Sequence, residues 1–264
     1  MVPVLRPPTP VLTYHRVLPY KTSISVSIDE FERQLQWLNH EGYRSLSGAE
    51  FEQALRGELD TERTVVLSFD DGYIDNWYLA TPLLEKYGMN ALLFVITGKI
   101  QGQQQRSIGG WDEQGDACYL SWEEIDLMVA SGVFEVHSHT HTHTRLWNGE
   151  KSASETKISV CKDVAVSLQI LRGRGYSHEI QLAWPWGYFR LDWLDEVAAM
   201  GVKVCYTTRP GTNFPGCDTS LIRRLGGASL TSDGGWLFSA ACSPFVGRGL
   251  NAASRAWSGI RGRP

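Results

Sequence analysis

Two almost wholly apolar runs, Thr64 to Phe69 (TVVLSF) and Ala91 to Thr97 (ALLFVIT), constrain the fold of this chain more than anything else in it. A strand with one wet face alternates apolar and polar residues. These runs do not, so each is expected to be a strand buried on both faces, as in a parallel sheet covered by helices. The intervening segments supply the helices. Ser27 with Glu30, Ser47 with Glu50 and Ser121 with Glu124 have the spacing of capping boxes. The first opens a helix through Phe31, Leu35 and Leu38 that stops at Gly42, the second one ending near Gly57, and the third one through Ile125, Leu127 and Met128. Helical patterns also run from Ile74 to Tyr87, with Pro82 as an interior irritant, from 152 to 172, and from Asp192 to Met200. Further strands are expected at Val11–Val17, Tyr43–Leu46, Val133–His139, Gln181–Trp184, Val202–Thr207 and Leu221–Leu225.

Strands that alternate with helices of this length imply right-handed parallel crossovers. The expected fold class is α/β: a closed or partly closed (β/α) barrel of at least six parallel strands. A barrel is preferred to an open sheet because the unusual polar residues fall at the C-terminal ends of strands, where barrels build their sites. No GxGxxG follows the first strand, so a dinucleotide-binding sheet lacks its fingerprint. Residues 98–118, rich in Gly and Gln, read as a loop insertion, and neither internal repeats nor a linker divides the chain. The whole of 1–264 is therefore expected to be one domain, with 1–10 and the Gly-, Ser- and Ala-rich 227–264 as poorly defined tails.

Composition removes several function classes. A net charge of -4 argues against nucleic acid as a partner, since phosphate binding needs a basic surface. No apolar run approaches the roughly 18 residues of a membrane span. The first residues, MVPVLRPPTPVL, hold no apolar signal region. The cytoplasm is the default location, and the periplasm or the exterior if a leader has been removed. Five scattered cysteines (Cys118, Cys161, Cys205, Cys217, Cys242) form neither a disulfide framework nor a zinc ribbon. Ten tryptophans suit either a core or a surface that stacks on sugar rings. Oligomeric state is not legible.

The chemistry concentrates in two places. His137 to His143 reads His-Ser-His-Thr-His-Thr-His, four of the seven histidines in the chain. So many imidazoles without a common partner would be costly to desolvate, so a metal is expected. Two imidazoles need a further ligand, and the obvious donor follows the TVVLSF run in Asp70-Asp71-Gly72. Neighbouring residues of a regular strand face opposite ways, so both carboxylates reach one site only if the strand ends there. Gly72 makes that break easy.

Ser68-Phe69-Asp70-Asp71-Gly72 resembles the (T/S)FDDG motif of polysaccharide deacetylases, the NodB-homology or carbohydrate esterase family 4 enzymes. The His tract resembles that family's H-(S/T)-x-x-H motif in two registers, His137/His141 and His139/His143. The second is preferred because Glu135 and Leu146 then fall where the family has its Glu and Leu, which leaves His137 and His141 as spectators or supporting residues. The resemblance covers roughly Val11 to Leu225 and implies a NodB-like fold, a distorted, incomplete (β/α) barrel of about seven parallel strands. It further implies that Asp71, His139 and His143 hold a divalent transition metal, Zn²⁺ first and Co²⁺ or Ni²⁺ as alternatives, and that Asp70 is the general base. Ala183-Trp184-Pro185-Trp186-Gly187 corresponds to the family's R-x-P-x-G, which makes the backbone N–H of Trp186 the oxyanion donor. Trp184, Trp186 and Tyr73 are expected to line a carbohydrate site.

The sequence departs from the family's pattern twice. The motif's Arg is Ala183 here; Arg224 is expected either to replace its charge or to form a surface salt bridge. No C-terminal L-x-H supplies the acid. Tyr14-His15-Arg16-Val17 instead resembles the N-terminal signature of the circularly permuted poly-N-acetylglucosamine deacetylase branch, and that makes His15 the expected general acid. His40 is expected to be a solvated helix-end residue, and His178 fits no motif. The implied activity is hydrolysis of N-acetyl groups on an N-acetylhexosamine polymer or oligomer. Two alternatives stay open: a metal hydrolase of a non-sugar amide or cyclic imide, and a carbohydrate-binding barrel without catalysis.

Overall fold

The computed structural model describes residues 6–100, 119–144, 153–176, 179–227, 238 and 241–260. The strands are β1 (Val11–Tyr14), β2 (Arg16–Leu18), β3 (Ser25–Ser27), β4 (Arg44–Ser45), β5 (Thr64–Asp71), β6 (Ala91–Val95), β7 (Phe134–Ser138), β8 (Leu182–Ala183), β9 (Cys205–Tyr206) and β10 (Leu225–Gly226). The helices that pack around them are α1 (Ile28–His40), α2 (Gly48–Arg56), α3 (Thr81–Lys86), α4 (Trp122–Ala130), α5 (Ala153–Gly173), α6 (Leu191–Ala199) and a last one at Pro244–Ile260.

The main sheet runs β10-β1-β5-β6-β7-β8-β9, with β4 beside the start of β5, and every pairing is parallel. Residues 222–226 touch both of its edges. Ile222 bridges to Tyr206 beyond β9, while Leu225 and Gly226 pair with Leu12 and Thr13. The sheet therefore curls into an incomplete NodB-like barrel, as expected, and brings the first and last strands together.

All eight residues of β5 are buried, which explains why its sequence does not alternate. Their two faces still differ. Val66, with Val11, Leu92, Phe94, Tyr206 and Ile222, fills the barrel interior, whereas Leu67 and Phe69 pack outward against Phe31, Leu35 and Leu38 of α1 and the other helices. Fully burying each such side chain stabilises by about 1.5–3 kcal/mol.

Local signals predicted the helix starts well. Ser47–Glu50 and Ser121–Glu124 are reciprocal capping boxes, and Gly57 closes α2 in the left-handed conformation. The Ser27 box is only half formed: Ser27 accepts from the Glu30 N–H, but the Glu30 carboxylate takes the Lys21 ammonium instead. The single helix expected over Ile74–Tyr87 is a π-helical turn, Asn76–Ala80, followed by α3. Pro82 sits where the π turn passes into α3, with helical backbone on both sides, so its missing N–H coincides with the break in the regular helix. Leu221–Leu225 is not one strand; a 3₁₀ turn over Thr219–Leu221 precedes the two-residue β10.

The stretch after Gly226, unorganised in the sequence reading, contains the helix Pro244–Ile260, whose Asn251 amide bonds both the N–H and the carbonyl of Thr212. No helix among the described residues is long and apolar enough to cross a membrane. Cys118, Leu146, His178 and nearly all of the 98–118 loop lie outside the described residues.

Candidate metal centre

The parallel sheet places its C-terminal strand ends together, and the polar residues singled out above gather there. Asp70 and Asp71 end β5, His139 follows β7, Trp184 follows β8, Arg224 precedes β10 and His15 follows β1. With His143, Trp186 and Tyr73 they line a cavity of about 600 Å³. Strand alternation turns Asp70 into the barrel mouth. Asp71 would then face away, but its φ is +75°, and Gly72 follows at +80°. The break expected at Gly72 thus begins at Asp71 itself, and both carboxylates reach one site.

Asp71 Oδ1 lies 3.4 Å from His139 Nε2 and 3.5 Å from His143 Nε2. Among the described residues, this is the one group of three or more potential metal-ligating side chains whose donor atoms converge, all within 4.8 Å of one another. Ligands at about 2.0–2.1 Å from a tetrahedral zinc are separated by about 3.3–3.4 Å, so the two Asp71–His separations fit. Tautomer and burial fit as well. His139 Nδ1 sits 2.8 Å from the Ala183 carbonyl, which only accepts, so Nδ1 carries the hydrogen and Nε2 offers a lone pair. Asp71 Oδ1 is buried without a hydrogen-bond partner. A carboxylate oxygen facing one fixed imidazole lone pair and a second imidazole nitrogen calls for a cation; a proton on His139 is the alternative, but at 3.4 Å it makes a long, weak bond.

Electrostatics favours deprotonated ligands, with one exception. Burial raises the Asp71 carboxyl, but His139 close beside it, with the charges of His15 and His143, outweighs that and holds Asp71 at about 2. Burial and the charge of His139 bring His143 down to about 4. For His139, burial is outweighed by Asp70, Asp71 and the Ala183 carbonyl, and its pKa rises. His139 is thus where a proton competes with a cation.

Asp70 is paired with Arg224. Arg224 Nη1 donates to Asp70 Oδ1 at 2.8 Å, with both side chains 3% exposed, and its Nε donates to the Thr207 carbonyl. The surface salt bridge considered for Arg224 is therefore excluded, and its guanidinium stands beside the carboxylate the sequence named as base. Burial pushes Asp70 up, but Arg224, with His139 and His15, keeps it below its ordinary value and ionised.

Of five non-glycine residues with positive φ among the described residues, four belong here: Asp71, Thr140, His143 and Trp186. Such conformations cost of order 1–3 kcal/mol each and persist where surroundings enforce them. Around Thr140–His143 the enforcement is visible. The Asp163 carboxylate, from α5, accepts the N–H groups of His141 and Thr142, while Ser138 Oγ accepts that of Thr140.

The two tryptophans differ. Trp186 is 56% exposed, its ring 5.3 Å from that of His143. Trp184 is 1% exposed and packs against Trp193, so it forms the wall beneath the cavity and offers no open ring face to a sugar. Tyr73 stacks on Tyr119 at 5.2 Å beneath the Arg16 guanidinium.

His137 is buried under the site, beside Glu135 and the Gln181 N–H, and His141 meets Thr97 Oγ1; neither joins the converging group. Glu135 instead accepts the N–H of Gly48. His40 is exposed, as expected. The sequence reading passed over Asp163, Asp75 and Asn76. The available signal for the last two was their position, four and five residues after Asp71, inside a segment read as an ordinary helix.

The sequence profile of the polysaccharide deacetylase family matches residues 58–205. The putative polysaccharide deacetylase YxkH of Bacillus subtilis is 29% identical over 204 residues, 76% of this chain and 65% of that protein. The poly-beta-1,6-N-acetyl-D-glucosamine N-deacetylase of Staphylococcus epidermidis is 27% identical over 203 residues, 76% of this chain and 67% of that protein. The chain thus spans about two thirds of the length of these relatives. Among solved structures, IcaB from Ammonifex degensii superposes with a TM-score of 0.73 at 27% identity, over 87% of this chain and 97% of that one.

Proposed function

Because this chain belongs to the polysaccharide deacetylase family, we propose that it hydrolyses N-acetyl groups on an N-acetylhexosamine-containing polysaccharide or oligosaccharide, releasing acetate, with a divalent metal held by Asp71, His139 and His143. The observation that carries the metal-dependent part is the buried, unpartnered Asp71 Oδ1 facing two imidazole nitrogens, one of them fixed as a lone pair by the Ala183 carbonyl. Zn²⁺ suits this donor set, and Co²⁺ or Ni²⁺ would serve as substitutes. When bound, such a cation lowers the pKa of a coordinated water toward about 7 and polarises the acetyl carbonyl.

The rest of the reaction is assigned to the chain's own groups. Asp70, kept ionised by Arg224, takes the proton of the attacking water as its oxygen adds to the carbonyl carbon; such a base is worth about 10² to 10⁴ in rate. The backbone N–H of Trp186 is the proposed donor to the tetrahedral oxyanion, a contribution of about 10² to 10³ in kcat. As the C–N bond breaks, His15 gives a proton to the departing amine and acetate leaves. The exposed ring of Trp186 is the proposed sugar platform, and Tyr73, covered by Tyr119 and Arg16, lines the cavity beside it.

The test is acetate release from chitin and poly-N-acetylglucosamine oligomers by metal-stripped protein, with and without added Zn²⁺, Co²⁺ or Ni²⁺. Release that needs a cation supports the reading. Oligomer binding with no acetate under any cation would leave a carbohydrate-binding barrel. Release that persists in full after chelation removes the metal from the mechanism.

A further inference from the structure

The chain leaves the main sheet at His15. β1 pairs with β5 only as far as Tyr14 opposite Phe69, and β2, which begins at Arg16, pairs with β3 instead. No strand pairing therefore fixes His15. Two side chains hold the backbone on either side of it. Asn76 Nδ2 donates to the His15 carbonyl at 2.9 Å, and Asp75 Oδ1 accepts the Val17 N–H at 2.8 Å. The other Asp75 oxygen accepts Arg16 Nε at 2.8 Å.

These groups lie deep. Asp75 and Asn76 are 0% exposed, Arg16 is 5% exposed, and neither Asp75 nor Asn76 lines the cavity. The orientation of the Asn76 amide follows from its neighbours. Both groups near its nitrogen, the His15 carbonyl and Asp75 Oδ1, are acceptors, and its own Oδ1 stays buried without a partner. The π-helical turn Asn76–Ala80 supplies the geometry, and Thr81 Oγ1 secures it by donating to the Asn76 carbonyl.

We propose that Asp75 and Asn76 are positioning residues that clamp the His15–Val17 segment and so set the general acid against the metal site. The proposal rests on the reading of His15 as acid. Its logic is that the segment carrying the ligand Asp71 reaches Asp75 four residues later, so one short stretch of chain fixes both the site of attack and the proton donor for departure.

The two reactions that separate acid positioning from general integrity differ only in their leaving group. An N-acetylglucosamine oligomer must expel an amine and needs a proton; an aryl acetate expels a stable phenolate and does not. His15→Ala is expected to lower kcat on the oligomer by about 10² to 10⁴ while aryl acetate turnover stays within about threefold. Asn76→Ser is expected to show the same selectivity in weaker form. It should cut oligomer kcat about tenfold or more and leave KM, zinc content and aryl acetate turnover unchanged. Asp75→Asn, which keeps the bond to Val17 but loses the charge facing Arg16, repeats the measurement should Asn76→Ser fail to fold. If His15→Ala shows the selectivity and Asn76→Ser and Asp75→Asn do not, or if their two activities fall in parallel, the clamp is overturned. If His15→Ala itself shows none, the acid assignment falls first, and the clamp with it.

Discussion

Asp71 shows how much chemistry one backbone angle can control. Its positive φ turns a carboxylate that strand alternation would send away toward two imidazoles. Asp71→Ala and His143→Ala should each abolish tight Zn²⁺ binding in equilibrium dialysis while the circular dichroism of the fold is retained. Binding that survives in both would remove them as ligands. Arg224 gives a second test. Arg224→Met leaves Asp70 buried without its cation; burial then dominates and the carboxyl pKa rises. With Asp70 as the proposed base, turnover needs its ionised form, so the acidic limb of the rate profile is expected to move to higher pH. Breaking a buried pair of this kind should also cost about 3–5 kcal/mol in denaturant unfolding. The converging Asp71, His139 and His143 were legible in sequence because their types and spacing are local. The partner of Arg224 was not, because nothing in Leu221–Leu225 tells a buried arginine from a surface one; only the approach of β10 to β1 brings it to Asp70.

The turn from Thr140 to His143 is an element held by another element. Two of its residues have positive φ, and Asp163 on α5 binds two of its N–H groups. Asp163→Ala should let the turn relax and weaken Zn²⁺ binding by about 10–100-fold, as loss of a supporting partner typically does. The check is a competitive titration with a chromophoric chelator, and unchanged affinity would show that the turn holds itself. The same contrast between local and distant causes explains which elements the sequence revealed. Helix starts at Ser47 and Ser121 are decided by four consecutive residues and were read correctly. The π turn after Tyr73 was not; Asp75 and Asn76, where it begins, bond to Arg16, Val17 and His15, far back in the chain.

Across the molecule, the barrel closes through residues 222–226, and the helix Pro244–Ile260 braces the loop before them. Asn251→Ala strips two hydrogen bonds from Thr212 and should lower stability by about 1–3 kcal/mol, read as a fall in Tm. A helix whose neighbours lie forty residues back in the chain leaves little trace in its own composition, and the sequence reading passed over it. The curled parallel sheet was legible, since β5 and β6 are apolar on both faces for the reason inferred. If the proposed cation is bound, protons compete with it first at His139, whose pKa is raised, then at His143 near 4 and Asp71 near 2. Apparent Zn²⁺ affinity should therefore fall about tenfold per pH unit once the pH drops below the His139 pKa, and more steeply only below about 4. A flat affinity down to that point would contradict the ordering. The most direct measurement is a crystal structure of zinc-loaded protein with anomalous scattering at the zinc edge. One ion bonded to Asp71, His139 Nε2 and His143 Nε2 at about 2.0–2.2 Å, with an open fourth position, is the predicted result. An ion on His137 and His141, or none within reach of Asp71, would contradict the account.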